Sequence, residues 1–173
     1  MRKLSSLTDH DIAWQQVPGL RSEYELRFGD EVVASLKLPR MLGSAAVFQC
    51  EEGTWNIARS GFFASTTHVR RADSVDPEGT FRASPWTRGG MLEFADGRVL
   101  QLRTKVWGRT LEWYTPSGES LVQMRGSGFW KFRADLHMTR DALQWPELHW
   151  LVGLLCYQMI MMRRDSASHA AAH

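Results

Sequence analysis

Cysteine is scarce in this sequence: its 173 residues include two, Cys50 and Cys156. A secreted domain stapled by disulfides would contain more, and Cys156 falls in an apolar run that is typical of a helix. We therefore expect two reduced, buried thiols. The apolar segment of a signal peptide is also missing, because Asp9, His10 and Asp11 stand where it would follow the basic start of the chain. These two absences predict a cytoplasmic protein.

Motifs of catalysis and metal binding are missing as well. The six histidines are not spaced as metal ligands, and neither cysteine belongs to a C-x-x-C pair. There is no G-x-S-x-G motif, no P-loop and no strand-linked G-x-G-x-x-G. Gly126-Ser127-Gly128 is interpreted as a turn, and His149 as a neutral histidine of a buried helix. We therefore predict a protein that is not an enzyme, with no catalytic residue, no metal site and no cofactor.

Charge of one sign is not in large excess. The 21 lysines and arginines outnumber the 19 acidic residues by enough for a net charge of +2. Such a balance makes no strong case for a nucleic-acid partner. What the sequence does contain is an ordinary globular mixture, with 43% hydrophobic residues, in a length that suits one domain. Its eight tryptophans are typical of a β-rich interior, where large rings fill the space behind a pleated surface.

From about residue 23 to residue 138, apolar and polar residues alternate in short runs that are separated by turn residues. The alternation predicts strands with one buried and one solvated face, as in an antiparallel sheet. The clearest runs place these residues on the buried face: Val32, Ala34, Leu36 and Leu38; Leu100, Leu102, Thr104 and Val106; Trp130, Phe132, Ala134, Leu136 and Met138. The turn pairs between runs are Gly29-Asp30, Glu52-Gly53, Asp96-Gly97 and Ser117-Gly118. About ten to twelve such strands should close into a barrel or a sandwich, because a flat sheet leaves edges uncovered.

The pattern changes near the C-terminus. Trp145-Pro146-Glu147 is typical of a helix start, with proline in the first turn and a carboxylate at the positive end of the helix dipole. The next segment, from Leu148 to Met162, is apolar except for His149 and Gln158. A helix that is apolar on nearly every side is buried in a core or lies in a membrane. Gly153, in the middle of this segment, should mark a place where a strand comes close.

The length of this segment favours a buried helix over a membrane anchor. At about 1.5 Å per residue it spans roughly 22 Å, whereas the hydrocarbon core of a bilayer is about 30 Å thick. We therefore predict one domain over residues 1–165, with a core helix at about 146–164 and a disordered tail over 166–173. A tail anchor formed by Leu148 to Met162 stays open as the alternative.

Five segments of the chain carry a resemblance to a known family: 145–148, 151–157, 161–165, 55–59, and 90–94 followed by Asp96-Gly97. Over about residues 20–165, the chain resembles the tubby C-terminal-like superfamily, and its small bacterial members in particular. This superfamily includes the tubby domains, the phospholipid scramblases and the LURP-one-related proteins. The resemblance implies a closed antiparallel β-barrel of about twelve strands around a central, hydrophobic C-terminal α-helix. It also implies a role in lipid binding, but it assigns no functional residue in this sequence.

Paired cations are the candidate binding site. Arg103 and Lys105 share the polar face of one predicted strand, with Trp107 beside them, and Lys131 and Arg133 share the polar face of another. If the two strands lie close together, the four cations form a patch that suits an anionic membrane surface or a phosphorylated head group. We therefore predict a cytoplasmic, membrane-peripheral protein that binds an anionic lipid, a head group or another acidic partner. The alternatives are a tail-anchored protein and a small-molecule-binding barrel or enzyme.

Overall fold

A computed structural model describes residues 3–7, 12–39, 43–60, 66–105, 109–127 and 131–171 of the chain. Within these residues it contains twelve β-strands, one α-helix and two 3-10 turns, at Leu4–Ser6 and Ala142–Gln144. The longer elements are β1 (Ile12–Gln16), β2 (Glu23–Phe28), β3 (Glu31–Lys37), β4 (Ala45–Cys50), β5 (Gly53–Ser60), β6 (Thr66–Arg71), β7 (Pro77–Ala83), β8 (Gly90–Phe94), β9 (Val99–Lys105), β10 (Thr110–Tyr114), β11 (Ser120–Ser127), β12 (Arg133–Met138) and α1 (Leu148–Ala171).

The twelve strands form a closed barrel. Each strand pairs antiparallel with the strand that follows it, and β1 pairs antiparallel with β12. Trp14 in β1, for example, pairs with Leu26 on one side and with Ala134 on the other. Closure pairs both edges of every strand, which removes the exposed edges that a flat sheet would leave. The predicted fold class, a closed antiparallel barrel of about twelve strands, is confirmed.

The alternation of buried and exposed residues is confirmed along the whole of β12. It is wrong in part of β3, where Val33 is fully buried although the sequence pattern placed Val32 on the inner face. The register between β2 and β3 shifts next to this point, between Leu26 and Arg27. A bulge of this kind adds a residue to one strand, so the residues beyond it exchange faces.

The turn residues also behave as the sequence predicts. Gly97 and Gly118, which lie in the turns after β8 and β10, have φ values of 87° and 90°. This left-handed backbone conformation strains residues with a side chain, but not glycine. Val106 and Trp130, which were predicted to face the core, lie outside the described residues.

The helix α1 runs through the centre of the barrel, and its residues 150–161 are all buried. On one side, Trp113 Nε1 in β10 donates a hydrogen bond to the Leu151 carbonyl at 3.2 Å. On the opposite side of the ring of strands, a Cβ atom at Gly153 would lie 2.6 Å from the Phe48 ring in β4. The predicted close approach at Gly153 is therefore confirmed. The segment proposed as a possible tail anchor is the core of the barrel.

The helix begins and ends later than the sequence pattern predicts. A core helix was expected at about 146–164 with a disordered tail from residue 166, whereas α1 is helical through Ala171. Alanine favours helix at several of these positions. The hydroxyls of Ser166 and Ser168 donate to carbonyls one turn earlier, at 2.9 Å and 3.0 Å. Among the residues that the structure describes, no helix combines the length and the apolar character needed to cross a membrane.

Both cysteines are free and buried, as predicted. Burial raises the pKa of the Cys50 thiol to about 12, and it raises the pKa of the Cys156 thiol well above its usual value. Thiols are nucleophilic in their ionised form, so both side chains are unreactive in the folded protein.

Candidate functional site

The four predicted site residues lie on strands that are not neighbours. Arg103 and Lys105 belong to β9, whereas Arg133 is the first residue of β12 and Lys131 precedes it. Two further strands, β10 and β11, stand between β9 and β12. The structure therefore separates the four cations into two pairs rather than one patch.

The first pair has partners on β10. Lys105 Nζ donates to Glu112 Oε2 at 2.8 Å and to Tyr114 Oη at 2.6 Å, and the Arg103 guanidinium lies 4.3 Å from the centre of the Tyr114 ring. Burial acts to raise the pKa of Glu112, but hydrogen bonds from Lys105, Ser120 and Tyr114 outweigh it and lower that pKa to about 2. Because Glu112 already pairs with Lys105, this cation is poorly suited to an external anion. Arg103 is exposed and donates to Gln101 Oε1 at 3.1 Å. Trp107, predicted beside it, lies outside the described residues.

The two residues of the second pair, Lys131 and Arg133, have different neighbours. Arg133 Nε lies 3.5 Å from Asp135 Oδ1 on the same strand. Lys131 is exposed, and it lines a shallow pocket of about 280 Å³ together with Leu20 and Arg21. Lys131 thus belongs with Arg21, a cation that lies far away in the sequence, and points to the end of the barrel rather than to its wall.

The barrel has two ends that differ in composition. Strand direction alternates around the ring, so the connections after β1, β3, β5, β7, β9 and β11 lie at one end, where α1 emerges. We call this the basic end and the other the acidic end. Each end is defined by its connections and by the last two residues of each strand there. The basic end also includes α1 from Arg163 onward, and the acidic end includes residues 3–7 and 139–147.

Cations are concentrated at the basic end. Among the described residues they are Arg21, Lys37, Arg59, Arg82, Arg88, Lys105, Arg109, Lys131, Arg133, Arg163 and Arg164. The acids described there are Glu23, which pairs with Lys37 at 3.1 Å, and Asp165, which pairs with Arg59 at 3.0 Å. Three of the cations have carboxylate partners farther along the strands: Arg82 pairs with Glu93, Lys105 with Glu112 and Arg133 with Asp135. Cations still outnumber acids at this end, although the net charge of the whole chain is +2.

The acidic end has the opposite balance. Its described acids are Asp30, Glu31, Glu51, Glu52, Asp73, Asp76, Glu78, Glu93, Asp96, Glu119, Asp141 and Glu147. Its described cations are Lys3, Arg27, Arg70, Arg71, Arg98 and Arg140. Charge is thus separated along the barrel axis, and a separation of this kind steers and orients a protein toward a charged partner.

Exposed apolar side chains are concentrated at the basic end as well. The large apolar residues most exposed there are Trp86 at 91%, Met91 at 50% and Leu20 at 46%. At the acidic end Val75 is 83% exposed. Cations beside exposed aromatic and aliphatic side chains are typical of surfaces that contact the interface of a membrane.

The turn that carries Trp86 is held from both sides. Ser84 Oγ accepts hydrogen bonds from the backbone N–H groups of Trp86 and Thr87, each at 3.3 Å. The hydroxyl of Thr104, in β9, donates to the carbonyl of Arg88. Trp86 therefore projects from a turn that is fixed to the barrel wall, close to the cation Arg88.

Metal chemistry finds no support in the part of the chain that the structure describes, where no three His, Cys, Asp or Glu side chains are grouped as ligands. The ring of His149 packs 4.5 Å from that of Trp55. Burial lowers the pKa of His149, although the carboxylates of Glu52 and Glu78 act in the opposite direction. The neutral ring is therefore favoured, in agreement with the interpretation of His149 as a neutral histidine, although its side chain is half-buried rather than part of the core.

Comparisons with protein-family models, with curated proteins and with solved structures find no match for the chain.

The sequence contains a signal for the basic end in its connections between strands, and the faces of the individual strands do not show it. Read from the sequence, the segments that join strands there (17–22, 38–44, 61–65, 84–89, 106–109 and 128–132) contain no Asp or Glu. Every segment that joins strands at the acidic end contains at least one. Antiparallel neighbours place every second connection at the same end. The connections without acidic residues therefore all fall at one end of the barrel.

Proposed function

We propose that this protein is a binding protein, rather than an enzyme, whose basic end docks on an anionic membrane surface through the lipid head groups. The observation that carries the proposal is the separation of charge between the two ends. Among the described residues, Glu23 and Asp165 are the acids of the basic end, and each is paired with a cation of that end. Because α1 fills the centre of the barrel, an outer surface suits binding better than the interior does.

The expected energies support this partner. Each Lys or Arg near an anionic bilayer contributes about 1 kcal/mol of attraction, and several act together. The acidic end is repelled by the same surface, which favours one orientation. Trp86 and Leu20 add apolar contact at the level of the head groups, where tryptophan is enriched in membrane proteins. Three of the sequence-predicted residues belong to this end: Lys131, and also Lys105 and Arg133, which lie beside Glu112 and Asp135.

The fold supports the same proposal from a second direction. A closed antiparallel barrel around a C-terminal helix is the architecture that the sequence resemblance implies. We therefore propose that the chain is a member of the tubby C-terminal-like superfamily. Lipid binding is the role that this membership would imply.

The test is flotation of the full chain with vesicles of phosphatidylcholine, alone or mixed with phosphatidylserine. Arg21→Glu combined with Lys131→Glu reverses two exposed cations that line one pocket of the basic end. We expect the wild type to float only with the vesicles that contain phosphatidylserine. The double variant should lose at least about 2 kcal/mol of binding free energy, which is roughly 30-fold in partitioning.

The matched control is Arg70→Glu combined with Arg140→Glu, which changes the net charge by the same amount at the acidic end, where both side chains are exposed. This control should float as the wild type does. Neither pair of substitutions alters a buried side chain, so the melting temperature should stay the same in both variants. Retained flotation of the basic-end variant, or equal loss in the two double variants, would contradict the proposal.

A further inference from the structure

A cleft opens beside α1 at the basic end. On one side of the helix, Arg164 Nη1 donates to the Gly43 carbonyl at 3.3 Å, and the Arg163 guanidinium lies 5.1 Å from the centre of the Phe132 ring. These contacts attach α1 to the connections after β3 and β11. On the other side, toward β5, β7 and β9, a cleft of about 540 Å³ remains. Small-molecule sites have volumes of about 300–1,000 Å³, so the cleft is large enough for a ligand.

The cleft has an apolar floor and wall. Phe81 from β7 and Leu102 from β9 line it while they are almost completely buried, with 2% and 4% of their surfaces exposed. Met162 adds an apolar side chain from α1. Met162, which is half-buried, and Ala83, which is exposed, supply most of the apolar surface that a ligand can reach. Contact of the hydrocarbon part of a ligand with this surface removes apolar area from water.

Two cations, Arg59 and Arg88, lie at the rim of the cleft and differ in their ion-pair partners. Arg59 Nη1 lies 3.0 Å from Asp165 Oδ2, and its side chain is 14% exposed, whereas that of Asp165 is 56% exposed. Arg88 also lines the cleft, and within the described residues its guanidinium has no salt-bridge partner. The backbone of Arg88 is held in place by Thr104, which donates to the Arg88 carbonyl. The rim therefore offers one available cation, and a second that a carboxylate holds.

We propose that this cleft binds a small amphipathic anion. Its carboxylate or phosphate group pairs with Arg88, and its alkyl chain or ring lies on Met162 and Ala83, above the packed side chains of Phe81 and Leu102. Asp165 competes with the ligand for Arg59 and so weakens binding. The proposal goes beyond docking on a membrane surface and does not depend on it, because Arg21 and Lys131 lie outside the cleft.

The experiment is a calorimetric titration of the full chain with decanoate and with decyl phosphate, each below its micelle concentration, and with decanol as the neutral analogue. At least one anion should bind with a stoichiometry of one, and decanol should bind at least about tenfold more weakly. Arg88→Gln should weaken anion binding about 10- to 100-fold, which corresponds to the loss of one charge-assisted hydrogen bond. Ala83→Trp places a large ring at an exposed position that lines the cleft, and it should abolish binding.

Asp165→Asn should raise the affinity for the anion, whereas Arg88→Gln and Ala83→Trp should lower it. The variant releases Arg59 and removes a negative charge from the rim, so it should bind the anion several-fold more tightly than the wild type. If Asp165 served the fold alone, this substitution would not improve affinity. Arg140→Gln, which removes an exposed cation at the acidic end, should leave the affinity unchanged.

Three results would overturn the proposal: no binding of either anion to the wild type, equal affinity for decanol, or unchanged affinity in Ala83→Trp. Flotation of Ala83→Trp with vesicles that contain phosphatidylserine then identifies the source of the ligand. If flotation is kept while anion binding is lost, the cleft binds a free amphiphile. If both are lost, the cleft takes its anion from the bilayer.

Discussion

Glu112 shows, among single residues, why the spacing of cations in the sequence does not reveal which partners they have in the fold. In the barrel Glu112 is 4% exposed, and Ser120 Oγ and Tyr114 Oη each donate to it at 2.5 Å. Lys105 also donates to Glu112, at 2.8 Å. The sequence predicts correctly that Lys105 lies on a solvated strand face. It does not contain the cross-strand register that brings Lys105 and Glu112 together, because register depends on pairing between strands.

Glu112 should make the protein less stable in acid. Its pKa is about 2 in the folded protein against an ordinary value of 4.5, so the carboxylate stabilises the fold above pH 4.5 and this contribution is lost as the pH falls toward 2. In urea unfolding, the free energy of unfolding of the wild type should fall across this window more steeply than that of Glu112→Gln. Glu119→Gln, at an exposed position, should keep the wild-type slope. Parallel curves for the wild type and Glu112→Gln would show that Glu112 contributes nothing to the pH dependence.

Gly153 should be intolerant of any side chain. A Cβ atom there would lie 2.6 Å from the Phe48 ring, and overpacking of a core costs about 1–3 kcal/mol and sometimes more. We expect Gly153→Leu to lower the free energy of unfolding by at least this amount, measured with urea. Ala167→Leu introduces the same side chain at an exposed position of α1 and should be close to neutral. If Gly153→Leu were as stable as the wild type, α1 would not pack against β4.

The elements themselves could be predicted because their signals are local. Period-two alternation and turn glycines indicate strands, and an all-apolar segment indicates a buried helix. Two features were out of reach. The bulge between β2 and β3 depends on how the two strands pair. The alternation of apolar and polar residues that begins at Val32 could therefore not reveal it. The last turns of α1 are exposed and consist of small residues, which have no burial pattern to mark their helical structure.

The two parts of α1 should differ in their importance for folding. A chain that ends after Asp165 loses residues 166–171, which are exposed, along with the two residues beyond them, and should melt as the full chain does. A chain that ends after Gln144 also loses Trp150, Leu151 and Tyr157, which are all fully buried. Each such side chain contributes about 1.5–3 kcal/mol, and the stability of a whole domain is about 5–15 kcal/mol. We expect the shorter chain to aggregate in size-exclusion chromatography, and a folded, monodisperse product would contradict a core role for the helix.

At the scale of the whole molecule, the property that suggests a function is one that no single strand contains. Arg21 and Lys131 are distant in the sequence, yet they line the same pocket because the connections after β1 and β11 meet at one end. The alternation of residues along a single strand groups Lys131 with Arg133 instead, because both fall on the polar face of one predicted strand. The fold was predictable from local patterns, whereas the site depends on which turns share an end. That information becomes available once the strands are known to alternate in direction around a closed ring.

The separation of charge also predicts how the protein lies on a membrane, and two exposed residues provide matched positions to test it. Trp86 is 91% exposed at the basic end and Val75 is 83% exposed at the acidic end. Cys50 and Cys156 are buried, and both have raised pKa values. A thiol-reactive probe should therefore label only an introduced cysteine in the native protein. Trp86→Cys and Val75→Cys can each be labelled with the same polarity-sensitive fluorophore.

We expect the fluorophore at Trp86→Cys to shift to shorter wavelength when vesicles containing phosphatidylserine are added, because the basic end enters the apolar edge of the head-group layer. The fluorophore at Val75→Cys should remain in water and show no shift. High salt should reverse the shift, since it screens the charges that hold the protein at the surface. A shift at Val75→Cys alone would mean that the acidic end faces the membrane. Equal shifts at both positions would mean that the two ends of the barrel are attracted to the membrane equally. The charge separation would then not determine the orientation of the protein.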